Sequence, residues 1–195
     1  MKTIENYYKK LRDGKASPTK EFFEVPVGIS FKDFNKFKMI DEFEREKEKM
    51  RQPYQTLIFP YKKENGEYKY AIFLREDMKV WQGICGGGEE GETILETAKR
   101  ETFEESGISK ASKFIQLDTI TTMPVVAVTG KFTWGENVFV IKEYCFGVDA
   151  TNIQIKLSDE HLNYKWVNFA EAEKLLKWDS DKTAIWELNE RLKRE

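Results

Sequence analysis

The sequence predicts an α+β fold in which one acidic helix lies on a mixed sheet. Three observations predict it. Gln55–Tyr61 and Glu67–Arg75 are β-prone runs joined by Lys63-Glu64-Asn65-Gly66, a hairpin signal. Thr93–Ser106 has no proline and no internal glycine, and strand-like runs stand on both sides of it. Two helical runs close the chain, so the order is strands, helix, strands, helix.

The elements follow in order. Ile4–Leu11 is a short amphipathic helix candidate stopped by Gly14, and Ala16-Ser17-Pro18-Thr19 is a loop. Phe22–Ile29 contains Pro26, which suits an extended arm or edge strand. Phe31–Met50 reads as a longer helix with Phe31, Phe34, Phe37, Ile40 and Phe43 near one face, ended by Pro53. Residues 1–52 are therefore expected to form a largely helical N-terminal extension, and 53–195 the main domain. The aromatic stripe would pack on that domain or on a second copy in a homodimer.

In the hairpin, Tyr68, Tyr70, Ile72 and Leu74 share a face. Val80–Ile84 is a short strand entering a loop of Gly86, Gly87 and Gly88. In the helix that follows, Leu95, Ala98 and Thr102 form a buried stripe, and Gly107 is the stop. Phe114–Met123 is a strand, Pro124–Lys131 a loop continued by Phe132–Glu136, and Asn137–Val148 a long strand. Ile153–Leu157 and Tyr164–Val167 are short strands, and Ala170–Lys177 and Thr183–Arg194 are the closing helices.

Composition narrows the function. Of 195 residues, 40% are hydrophobic, enough for a core, and 34% are charged with a net charge of −2. Such a balance offers no basic field for a nucleic-acid polymer. Cys85 and Cys145 have neither metal-site nor redox spacing, so reduced thiols and a cytoplasmic location are expected. Without a signal peptide or an apolar run of about 18 residues, no membrane role is expected.

The chemistry concentrates at 86–108. Glu101, Glu104 and Glu105 lie at i, i+3 and i+4, where helical side chains are neighbours and like charges destabilise. A hard divalent cation is the natural neutraliser: Mg2+, or Mn2+ in its place, takes oxygen ligands and is completed by substrate phosphates. Arg100 is placed to hold a carboxylate with its planar fork. The glycines would let the backbone approach a ligand closely in strained dihedrals, and the helix N-terminus beyond them favours anions. Glu92, near that N-terminus, would cap the helix or join the metal shell.

Gly86, Glu92, Arg100, Glu101, Glu104, Glu105, Gly107 and Ile108 stand at the spacing of the Nudix box, which this stretch resembles. Only Thr102 departs, where the family has an aliphatic packing residue. The resemblance covers roughly Pro53 to the C-terminus. It implies an α/β/α sandwich and a metal-dependent pyrophosphohydrolase, with Glu101, Glu104, Glu105 and the Gly86 carbonyl as metal ligands. Arg100 would orient the glutamates. The general base would be Glu104 or Glu105, or Glu160 from a later loop. A second resemblance, in Trp81-Gln82, Glu160-His161-Leu162, Tyr164-Lys165-Trp166 and Trp178, is to the bacterial dATP and dihydroneopterin triphosphate pyrophosphatases.

The expected substrate is accordingly a small nucleotide. Arg75 and Lys131 are candidate phosphate contacts, and Trp81, Phe132 and Trp134 candidate stacking surfaces. His161, the single histidine, is more commonly structural, and Cys85 reads as a small filler. The alternatives are a nucleoside-diphosphate-sugar hydrolase of the ADP-ribose type, a ligand sensor without turnover, and a structural acidic domain.

Overall fold

The computed structural model describes residues 51–130 and 132–194. The expectations for residues 1–50, including the dimer contact, and for Lys131 fall outside the described residues. From Arg51 onward the strands are β1 (Arg51–Glu64), β2 (Glu67–Arg75), β3 (Trp81–Gln82), β4 (Ile84–Glu89), β5 (Phe114–Pro124), β6 (Val140–Asp149) and β7 (His161–Val167). The helices are α1 (Ile94–Ser106), α2 (Val125–Thr129), α3 (Phe169–Leu175) and α4 (Asp179–Leu192).

The strands form one mixed sheet, in the order β3-β2-β1-β6-β5, with β4 paired to β1 and β7 to β2. The β1–β6 pair is parallel, and β1 is antiparallel to β2 and β4. Its centre, Gln55–Tyr61, is a near-continuous apolar run because both faces are covered. Leu57, Phe59, Tyr70 and Ile72 pack with Ala172 and Leu176 and with Ala184, Ile185 and Leu188 of α4. Ile58, Ala71, Phe73, Ile84 and Phe146 pack on the opposite face with Ala98 of α1 and Ile108. This is the expected α/β/α sandwich. Truncating a fully buried Phe73 to alanine would cost about 3–5 kcal/mol.

Helix α1 is fixed at both ends. Thr93 accepts the Glu96 N–H, and the Glu96 side chain accepts the Thr93 N–H, a reciprocal capping box. Gly107 turns to φ 69° and donates its N–H to the Phe103 carbonyl. The cap is thus Thr93 and not Glu92. The buried stripe is Ala98, Thr102, Glu105 and Ser106, while Leu95 is 40% exposed.

Four other expectations change. Gly86, Gly87 and Gly88 lie within β4 without positive φ, so they are ladder residues and not a strained loop. Val125–Thr129, expected as loop, is the one-turn helix α2 closed by Gly130 at φ 73°. The long strand starts at Val140 rather than Asn137, because Val138 turns back on the Gly135 carbonyl. Residues 153–157 bury Ile155 but form no strand. The Lys156 and Ser158 N–H groups donate to the Ser106 and Glu105 carbonyls at the end of α1 instead of joining the sheet.

Candidate active site

A cleft of about 1320 Å³ opens between α1, the exposed ends of β4 and β5, and the N-terminus of α4. Glycine in β4 sets how closely α1 approaches the sheet. A Cβ at Gly86 would collide with the Glu101 carboxylate, one at Gly87 with the Arg51 guanidinium, and one at Gly88 with the Tyr54 ring. Thr56, opposite Gly86 in β1, donates its hydroxyl to the Gly86 carbonyl at 3.4 Å.

Arg100 is the hub of the α1 wall. Its Nε and Nη2 donate to Glu92 at 2.7 and 2.9 Å, a bidentate pair. Nη2 also reaches the Gly87 carbonyl at 2.8 Å, and Nη1 reaches Glu101 at 2.8 Å and Glu104 at 3.2 Å. Glu92 also accepts from the Glu89 N–H and the Thr97 hydroxyl. The Arg100 fork, foremost, holds the Glu92 carboxyl down at about 2.

Glu105 points inward. Its Oε2 lies 2.6 Å from Nε2 of His161, a residue 6% exposed whose ring leans on Phe73 at 5.1 Å. Burial, then the charge of Glu160, raises Glu105 to about 8, and burial raises Glu101 to about 7 against the pull of Arg100. Burial, then repulsion by Arg75, lowers His161 to about 4, so the imidazole is neutral beside Glu105. His161 is thus built into the site, although it is the first residue of β7 and paired to Arg75 in the ladder.

The other expected residues divide. Glu104 is half-exposed on the cleft wall, and Glu160 lines the same cleft just before β7. Arg75 lines the cleft and is clamped by Asp77 at 2.8 and 3.0 Å. Trp81 does not line the cleft: it packs on the core beside α3, with Lys165 5.0 Å above its ring, and its neighbour Gln82 faces the cleft instead. Trp134 donates to the Arg51 carbonyl, and Phe132 stands edge-on to Phe139.

The sheet side of the cleft was not anticipated. Glu143, 2% exposed in β6, accepts from Gln55 Nε2 at 2.7 Å, from the Thr121 hydroxyl at 2.8 Å and from Cys85 Sγ at 3.6 Å. Asp181, in the first turn of α4, is also 2% exposed. Both cysteines are free.

The donor set suits a hard cation: three carboxylates and a backbone carbonyl along one helix–strand seam, all oxygen. Among the described residues no three acidic, histidine or cysteine side chains form a ready-made cage, since Arg100 spans Glu101 and Glu104. Also among them, no helix is long and apolar enough to cross a membrane.

Comparison with known proteins agrees with this architecture. The NUDIX domain model matches residues 58–186. A structure of a Nudix hydrolase from Listeria monocytogenes is 41% identical, with a TM-score of 0.68, over 73% of this chain and 96% of that one. The dihydroneopterin triphosphate pyrophosphohydrolase of E. coli is 26% identical, with a TM-score of 0.59, over 71% of this chain and 97% of that one. The asymmetrical bis(5'-nucleosyl)-tetraphosphatase of Rattus norvegicus is 33% identical over 128 residues, 65% of this chain and 82% of that one. With its model matched over more than half the length, the chain belongs to the Nudix family, hydrolases of phosphoanhydride bonds that act on small nucleotides and generally need a divalent metal ion.

Proposed function

We propose that this cleft hydrolyses the diphosphate linkage of a nucleoside triphosphate or nucleotide-like triphosphate, of the dATP or dihydroneopterin triphosphate class, into a monophosphate and pyrophosphate. The observation that carries this reading is that Glu101, Glu104, Glu105, Gly86 of β4 and Glu160 all line one cleft. The likeness to the E. coli enzyme, at 26% identity, supports the substrate class.

In this reading Glu101, Glu104, Glu105 and the Gly86 carbonyl hold Mg2+ or Mn2+. When bound, the ion supplies charge neutralisation for the phosphates and acidifies the attacking water. Arg100 fixes Glu101 and Glu104 through its fork, and His161 fixes Glu105. Glu160 accepts the proton of the water as its oxygen bonds to phosphorus, and the bridging P–O bond breaks toward pyrophosphate. Glu160 suits that role because its carboxylate is exposed and, among the described residues, is held by no hydrogen bond or ion pair, leaving it free to reach the water. Arg75 offers a cation to the outer phosphates.

A second reading, favoured by the likeness to the rat enzyme, is a bis(5'-nucleosyl) tetraphosphate. Incubation with Mg2+ and a panel of nucleotides, with products resolved by chromatography, separates the readings. Pyrophosphate with a monophosphate supports the first. Unequal nucleotide products from a tetraphosphate support the second. Two monophosphates from ADP-ribose would place the chain with the nucleoside-diphosphate-sugar hydrolases.

A further inference from the structure

Among the described residues, the guanidinium groups that line the cleft are those of Arg51, Arg75 and Arg100. Two are taken up by acids of the chain: Arg100 by Glu92, Glu101 and Glu104, and Arg75 by Asp77. Arg51 is held through its backbone. Its carbonyl accepts the Trp134 indole N–H, and it pairs with Glu89 in the β1–β4 ladder. The side chain is exposed, and its guanidinium makes no hydrogen bond or ion pair among the described residues. An unclaimed planar fork on a cleft wall is matched to an anion from outside, and to phosphate above all.

The fold explains why Arg51 stays unclaimed. The β1 register shifts between Arg51 and Gln55, and a bulge beside a site re-aims its side chains. The Arg51 side chain comes to rest over Gly87. A Cβ at Gly87 would collide with Arg51 Nε and crowd Cζ and Nη2, and these are its three nearest atoms. Gly87 has no positive φ, so the backbone itself does not demand glycine there. Successive strand residues face opposite ways: Gly86 meets Glu101 of α1 on one face, and Gly87 meets Arg51 on the other. The backbone of β4 thus separates this guanidinium from the α1 carboxylates while both line one cleft.

We propose that Arg51, seated on Gly87, binds the terminal phosphate of the substrate and so holds the pyrophosphate end of the chain. This inference rests on the triphosphatase reading above and adds a substrate-positioning residue to it. The terminal phosphate carries the most charge and the most unesterified oxygens, which suits an exposed fork at the open edge of the cleft. A phosphate chain laid across β4, where two glycines leave the backbone bare, would meet the α1 acids and their cation on one side and Arg51 on the other.

The test titrates pyrophosphate and dAMP, the two products of dATP, into the full chain with Mg2+ by calorimetry, with dATP hydrolysis measured alongside. Arg51→Gln should weaken pyrophosphate binding about tenfold, the low end for a hydrogen bond to a charged group, and leave dAMP within about twofold. KM for dATP should rise by a similar factor, with kcat within about threefold. Arg51→Lys, which keeps the charge without the fork, should fall between wild type and Arg51→Gln. Gly87→Ala should reproduce Arg51→Gln, and the double variant should show no further loss, since both changes remove one contact. Unchanged pyrophosphate affinity in Arg51→Gln, or equal weakening of both products, would overturn the inference and leave the proposed function standing. Fully additive losses in the double variant would overturn the seat on Gly87. A wild type that turns over no triphosphate would overturn the proposed function and this inference with it. The two single variants reach the contact independently, so misfolding of one leaves the other to decide.

Discussion

The two walls of the cleft hold their carboxylates by opposite means. On the α1 wall, Glu92, Glu101 and Glu104 share one guanidinium, and the residues come from a single run of the chain. On the sheet wall, Glu143 is held by neutral donors from β1, β4 and β5. A charged hub ties these acids to a group that a cation could displace. A neutral cage immobilises an acid without preparing it for metal. In the reading proposed above, cation handling falls to α1 and contact with the rest of the substrate to the sheet side.

The sharpest break of that comparison is Glu104→Gln or Glu105→Gln. Each should lower kcat by about 10³-fold with melting temperature nearly unchanged, the scale of losing one preorganised charge in a site that stabilises developing charge. Normal turnover in both would dissolve the assigned division. Arg100→Lys comes next. It keeps the charge and loses the fork, so activity should fall by about 10–100-fold, as for loss of a residue that orients metal ligands. Steady-state kinetics across a Mg2+ titration would read this as a higher metal requirement.

On the other wall, Glu143→Gln should act on stability first. It turns an acceptor-only group into a partial donor facing Gln55 or Thr121, costing about 1–3 kcal/mol in a denaturant titration. The smallest effect concerns pH. The Glu92 carboxyl is lowered from 4.5 to about 2, so its contribution is fully present above pH 4.5 and is lost as pH falls toward 2. Glu92→Gln should flatten that part of the acid-unfolding curve. An unchanged curve would mean that the Arg100 hub contributes little.

The same contrast explains what was legible. The α1 wall could be read because helical spacing alone brings Glu101, Glu104 and Glu105 together, whatever the rest of the chain does. The sheet wall could not: Gln55, Thr121 and Glu143 meet only through strand order and register, and Asp181 joins them only through the packing of α4, none of which one sequence displays. Asp181 looks like an ordinary acid in the first turn of a helix. Trp81 and Gln82 show the cost of a two-residue strand, since alternation decides which of the pair faces the cleft and the sequence is too short there to set the phase. Residues 153–157 alternate like a strand, yet their N–H groups serve the end of α1, a tertiary demand that periodicity does not record.

The most direct test is Mn2+ binding by titration calorimetry to the wild type, Glu104→Gln, Glu105→Gln and Asp181→Asn, without nucleotide. Binding is expected to be about 10–100-fold weaker in the two α1 variants and unchanged in Asp181→Asn. Equal binding in all four, or a loss confined to Asp181→Asn, would contradict the division of the cleft into a cation wall and a recognition wall.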